Sequence, residues 1–288
     1  MPTQLPICPS TTICDDVCDK LKEHGLNITT STVIGRNLLF SGPIKIYPQT
    51  TLIRARIDAY TVIHENVSVI TSSIGRYCTI GHAVEMGLGQ HDVYTLTSSG
   101  AFQFNASFIH DYPTLRKLSF NQRRKLEETN EATIGHDVWI GPHSYIVGDV
   151  TIGTGAVIET GSVITHDVPP YAIVSGAGGG TNSHGIIKGY RFSDEEISDL
   201  LELKWWEYDL PKLMAEQQNA SHKMPFEKVK DFLSLMRNSD LSTWPKLEEQ
   251  WLYLMPLSSQ QVQMIPASAD FDMGHLVPES YRNDPNWL

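Results

Sequence analysis

The sequence predicts a mainly β fold, a left-handed parallel β-helix of hexapeptide coils with a long inserted loop and C-terminal helices. Three observations predict it. Six isoleucines, Ile134, Ile140, Ile146, Ile152, Ile158 and Ile164, recur at an unbroken interval of six. Two residues before each stands a small or β-branched side chain: Ala132, Val138, Ser144, Val150, Ala156 or Ser162. Glycine follows at Gly135, Gly141, Gly153 and Gly161, where a corner needs backbone freedom.

An amphipathic helix repeats its apolar residues every three or four positions, and a half-buried strand every two. An interval of six suits a triangular coil of three short strands, each isoleucine pointing inward and the small residue filling the corner. Eighteen residues then climb one strand spacing, ~4.8 Å. Upstream, Ile34, Phe40, Ile46 and Leu52 keep the interval. The phase slips to Ile57, Ile63 and Val69, and again to Ile74, Ile80 and Met86. The two blocks make about five coils.

The blocks imply a division into a cap (1–30), a coil domain (31–175) with an excursion (87–131), and a glycine-rich loop with a helical extension (176–288). A short helix is expected in the cap over 15–24. In the extension, Ser193 and Glu196 form a capping box opening a helix that Pro211 closes. Further helices are expected over 226–237 and 246–254, with an extended tail beyond Pro256.

Composition narrows the function. The net charge of −11 opposes general nucleic-acid binding. No run approaches the roughly 20 apolar residues that span a bilayer, and the N-terminus lacks the pattern of a signal peptide, so a cytoplasmic, non-membrane protein is expected. Cys8, Cys14 and Cys18 match no zinc spacing, and Cys78 lies within the coil pattern and reads as structural.

The excursion is the first place to look for chemistry, because long loops inside a compact fold are usually functional. It holds Gly87-x-Gly89-x-His91, then Tyr94, Thr97, Phe102, Phe104 and Phe108, and a basic run of Arg116, Lys117, Arg123, Arg124 and Lys125. Gly87-x-Gly89-x-His91 with Thr97, Ile134-Gly-x-Asp137-Val-Trp139-Ile-Gly141, and Gly161-Ser-Val-Ile-Thr165-x-Asp167-Val-Pro-Pro170-Tyr171 occur in that order. Together they resemble the hexapeptide acetyltransferases of the xenobiotic type, a group spanning streptogramin, chloramphenicol and sugar O-acetyltransferases. Arg191-Phe192-Ser-x-Glu195, leading to Trp205 and Trp206, looks like that family's helix after the coil.

The resemblance implies His91 as the catalytic base, acetyl-CoA as co-substrate with no metal, and a homotrimer with coenzyme A lying between subunits. It implies cofactor contacts at Trp139, Thr160, Thr165 and His166, with Lys188 and Arg191 as candidates for the phosphates. Trp139 reads equally as a subunit-packing residue. The glycine-rich stretch 177–184 departs from the family, which has a Gly-x-Pro-Ala turn there.

Histidine suits the role, since its ordinary pKa of ~6.5 lies near working pH. Tyr94, Thr97 and Phe102 are candidates to contact a small-molecule acceptor. The segment 90–102 looks closer to the sugar O-acetyltransferases, so a saccharide hydroxyl is the expected acceptor ahead of an amine, and an antibiotic hydroxyl is the alternative. A remoter alternative is a metal-dependent hydratase on the same coil, like the β-helical carbonic anhydrases. His136 and His143 lie seven apart, however, which is not the spacing such a site uses.

Overall fold

The computed structural model describes residues 11–89, 96, 131–176, 185–216, 224–271 and 273. The chain winds into a left-handed parallel β-helix of about six turns. The first face of the prism stacks β2 (Leu26–Asn27), β4 (Ile44–Ile46), β6 (Val62–Ile63), β8 (Thr79–Ile80), β11 (Trp139–Ile140), β14 (Val157–Ile158) and β16 (Ala172–Ser175). The antiparallel strand β17 (Ile186–Tyr190) closes its far edge.

The second and third faces are joined in the early turns, because β3 (Val33–Phe40), β5 (Thr51–Ile57) and β7 (Ser68–Ile74) each bend across both. Afterwards the second face continues through β9 (Glu85–Leu88), β12 (Tyr145–Val147) and β15 (Val163–Ile164). The third continues through β10 (Ala132–Ile134) and β13 (Thr151–Ile152).

The phase slips are this bend. Arg54 and Thr71 take a left-handed conformation and turn the corner in five residues rather than six. Every inward position is shielded: Ile34, Leu52, Ile57, Ile63, Val69, Ile80, Met86, Ile140, Ile146, Ile152, Ile158 and Ile164 all have no exposed surface. Corner hydroxyls are satisfied within the coil, Thr61 Oγ1 donating to Gly75 O at 2.7 Å and Ser162 Oγ to Glu159 O at 2.6 Å.

Two sequence expectations are corrected here. The coil has about six turns, not five, because Leu26–Asn27 already pairs in parallel with β4. Ile28, six before Ile34, starts the series. Most glycines after the isoleucines serve closeness rather than torsional freedom: a Cβ on Gly141 would lie 2.5 Å from Thr160 N on the next turn. The left-handed residues stand three positions after the isoleucines, as at Asp137, His143, Gly155 and Gly161.

The N-terminal end carries β1 (Thr11–Thr12), antiparallel to β3, and helix α1 (Asp15–Glu23), whose Val17, Cys18 and Leu21 join the prism core. After the coil, α2 (Asp194–Leu203) begins at the Ser193 capping box, with Ser193 N donating to Glu196 Oε2 at 2.8 Å. It ends at left-handed Lys204, well before Pro211, which instead lies in the first turn of α3 (Leu210–Glu216), where its missing N–H costs nothing. Helix α4 (Val229–Asn238) follows.

The expected helix over 246–254 is absent. Its apolar residues enter a hairpin of β18 (Leu252–Ser258) and β19 (Gln261–Pro266), with β18 antiparallel to β3. The run Trp251, Tyr253, Met255 alternates and buries against Leu39. An open sheet edge some two hundred positions earlier decided the segment's form.

Candidate functional site

The excursion leaves the prism at one defined point. Met86 is the inward residue of β9 on the second face, and Gly87 follows with φ +74°. A Cβ there would lie 1.5 Å from Ile70 O on the turn below, so only glycine passes. Leu88 is held from the turn above, where Gly148 N donates to its carbonyl at 3.0 Å. The chain rejoins at β10, which takes the place on the third face that the same turn would have filled, paired with Ser72, Ser73 and Ile74. His91, Tyr94, Thr97 and Phe102 lie between these points, outside the described residues, as does the basic run.

Thr165 and His166 stand on the same edge of the prism. The ladder from Met86 through Ile146 to Ile164 places them two turns beyond Gly87, a climb of about 10 Å. Thr165 Oγ1 and His166 Nδ1 are 3.4 Å apart. Asp167 fixes the turn, its Oδ1 accepting from Thr151 N at 2.7 Å. Two residues named from resemblance and the root of the excursion therefore share one corner.

The other predicted contacts sit elsewhere. Trp139 is 43% exposed on the outside of the first face, between Thr79 and Val157. Thr160 lies at the corner between the first and second faces, and Lys188 is exposed on β17. Arg191 is engaged internally: Nη1 donates to Asp137 Oδ2 and to Gly155 O, each at 2.8 Å, and its guanidinium lies over the Phe192 and Tyr171 rings. Within one chain, then, the structure sets Thr165 and His166 on the edge of Gly87, the root of the excursion, and Trp139 and Thr160 on a different side.

Sequence reasoning missed the third corner, between the third and first faces, where the C-terminal extension docks. Tyr60 donates to Asp209 Oδ1 and Tyr77 to Tyr208 O, both at 2.7 Å. Buried Arg76 pairs with Asp58 at 2.9 Å and with Glu249 at 3.1 Å. The His136 ring stacks on Trp206, and its Nδ1 accepts from Arg76 N at 3.0 Å, which puts the ring proton on Nε2. Burial, then the Arg76 charge, lower the His136 pKa to about 4. Ala59, Arg76 and His136 stand one per turn on a single edge, each two positions after an inward isoleucine (Ile57, Ile74, Ile134), and that shared offset was the one signal that would have aligned them.

Cys78 is buried with its thiol donating to Gly135 O at 3.1 Å, and burial pushes its pKa up to about 12. A protonated, enclosed thiol is no nucleophile. His136 and His143 lie at different corners. Among the described residues, no group of three His, Cys, Asp or Glu side chains is placed to hold a metal ion, and no helix is long and apolar enough to cross a membrane.

The family model for bacterial transferase hexapeptide repeats matches residues 131–166. A probable macrolide acetyltransferase of Lysinibacillus sphaericus is 35% identical over 137 residues, 47% of this chain and 68% of that one. The chain belongs to the hexapeptide-repeat acetyltransferases. Another relative in this family is a chloramphenicol acetyltransferase of Klebsiella aerogenes, 34% identical over 142 residues, 49% of this chain. The chain spans 62% of that relative's length. A solved hexapeptide-repeat acetyltransferase of Vibrio cholerae, complexed with acetyl coenzyme A, is 23% identical over 52% of this chain and 69% of that one, with a TM-score of 0.36.

Proposed function

We propose that the protein transfers acetyl from acetyl-CoA to a hydroxyl group, with His91 as general base. The observation that carries this reading is the exit at Gly87, where the segment leading to His91 leaves the edge that also bears Thr165 and His166. The acetyltransferase names of the curated relatives support it.

In this mechanism both substrates are held together. His91 takes the proton of the acceptor hydroxyl as its oxygen attacks the thioester carbonyl carbon. The tetrahedral intermediate carries an oxyanion, and one backbone N–H aimed at it contributes on the order of 3 kcal/mol. Collapse breaks the carbon–sulfur bond, and His91 returns the proton to the departing thiolate, leaving an acetyl ester and free coenzyme A.

The separation of Trp139 and Thr160 from Thr165 and His166 favours a site shared between neighbouring copies of the chain, arranged as a trimer. Each copy supplies the excursion edge to one neighbour and its first face to the other. Exposed Trp139 and, on the second face, exposed Tyr145 are the side chains that such packing would cover. Lys188 is the better placed of the two candidates for the coenzyme's phosphates, since Arg191 already serves Asp137 and Gly155.

The acceptor is a saccharide hydroxyl on the motif at 90–102. A phenicol or macrolide hydroxyl is the second reading, which the relatives' names favour. A panel of sugars, nucleotide-sugars, chloramphenicol and macrolides, scored by thiol release, separates the two. His91→Ala should fold, bind coenzyme A and lose most turnover; wild-type kcat in that variant removes His91 from the mechanism.

A further inference from the structure

Arg56 stands on the outer side of the third face, paired with Leu39 below and Ser73 above, with Thr133 of β10 one turn further. Its guanidinium reaches two segments remote in sequence. Nη1 lies 3.9 Å from Glu131 Oε1, where the excursion rejoins the coil. Nη2 donates to Phe271 O at 3.2 Å.

The second contact belongs to a run laid over the start of the third face. Phe271 packs on Tyr253 with ring centroids 5.0 Å apart, Tyr253 pairs with Leu39, and neighbouring Asn37 donates to Met273 O at 3.3 Å. Nε of Arg56 is shielded, without a hydrogen-bond partner among the described residues. The group is therefore held by a hydrogen bond to Phe271 O on one side and an ion pair with Glu131 on the other.

We propose that Arg56 is a positioning residue for the transfer reaction. It ties the C-terminal run 267–271 to Glu131, where the excursion returns to the coil, and fixes the start of β10, touching neither coenzyme A nor the acceptor. This rests on the acetyl-transfer reading above. The ion pair is a quarter to a third exposed, so its share of global stability is small, and its effect is local.

The test compares Arg56→Met with Glu131→Gln in the full chain. Three quantities are read: kcat, coenzyme A affinity by calorimetry, and amide exchange at 132–134 and 267–271. Both variants are expected to lower kcat by ~2–5-fold with unchanged coenzyme A affinity, the scale of one partly exposed ion pair. Exchange should quicken at 132–134 in both, and at 267–271 in Arg56→Met alone. Wild-type kcat in Glu131→Gln, or unaltered exchange at 132–134 in both variants, overturns the proposal. The exchange measurement stands apart from the chemistry. Were the wild type inactive on every acceptor, the transfer reading and Arg56's part in it would fall, while quickened exchange would uphold the tether alone.

Discussion

Gly87 and His136 are two residues whose surroundings dictate unusual behaviour. Gly87→Ala would combine a left-handed backbone with a Cβ 1.5 Å from a carbonyl oxygen. The strain of the torsion alone is about 1 kcal/mol, and the collision adds to it, so the strand end must shift. The expected outcome is a measurable drop in melting temperature and loss of turnover, read by calorimetry and the thiol assay; unchanged kcat would mean that the exit geometry is irrelevant to catalysis. His136 makes stability depend on pH. Its pKa is about 4 when folded against an ordinary ~6.5 when unfolded. Above pH 6.5 its neutral form contributes fully. As pH falls from 6.5 towards 4 the unfolded chain takes up the proton first, and the contribution, at most about 3 kcal/mol, is lost. Arg76 beside it pairs with Asp58 and Glu249, and burial pushes the Asp58 and Asp137 carboxyls up, which acts in the opposite sense at lower pH. The share of His136 is thus the difference in urea stability between wild type and His136→Phe across this window. Equal slopes for the two would show that His136 titrates normally.

At the scale of the element, the coil owes its order to side chains that stack on their own kind every turn. Ile158 is wholly buried between Ile140 below and Val174 above. Ile158→Ala is expected to cost roughly 2–5 kcal/mol in urea unfolding, because rigid neighbouring turns collapse little into the gap. A cost below 1 kcal/mol would show the core to be loosely packed. This layer was legible in the sequence, since one inward residue in six is a constraint that each turn imposes separately. The helix expected over 246–254 failed for a related reason: a short apolar run suits helix or strand alike, and the free edge of β3 settled the choice.

Over the whole molecule, the C-terminal extension returns to cover two sides of the prism. The corner bearing Tyr60, Tyr77 and His136 is occupied by residues 205–210, and the start of the third face by residues 251–271. The first and second faces keep exposed Trp139 and Tyr145. In the proposed trimer, Trp139→Asp is therefore expected to give single chains in light scattering and to weaken coenzyme A binding. An unchanged mass would place the subunit contact elsewhere. The amino-acid order alone determined the repeat, the inward residues, the point where the repeat breaks, and the motifs that mark the family, because each is a local rule repeated at fixed spacing. Only the tertiary structure decided that Thr165 and His166 share an edge with the excursion while Trp139 does not, and that Arg191 faces Asp137. It alone showed residues 252–266 extending the sheet at β3. These depend on which turns lie above one another and which edges remain open, and such proximity arises from winding and docking rather than from spacing along the chain.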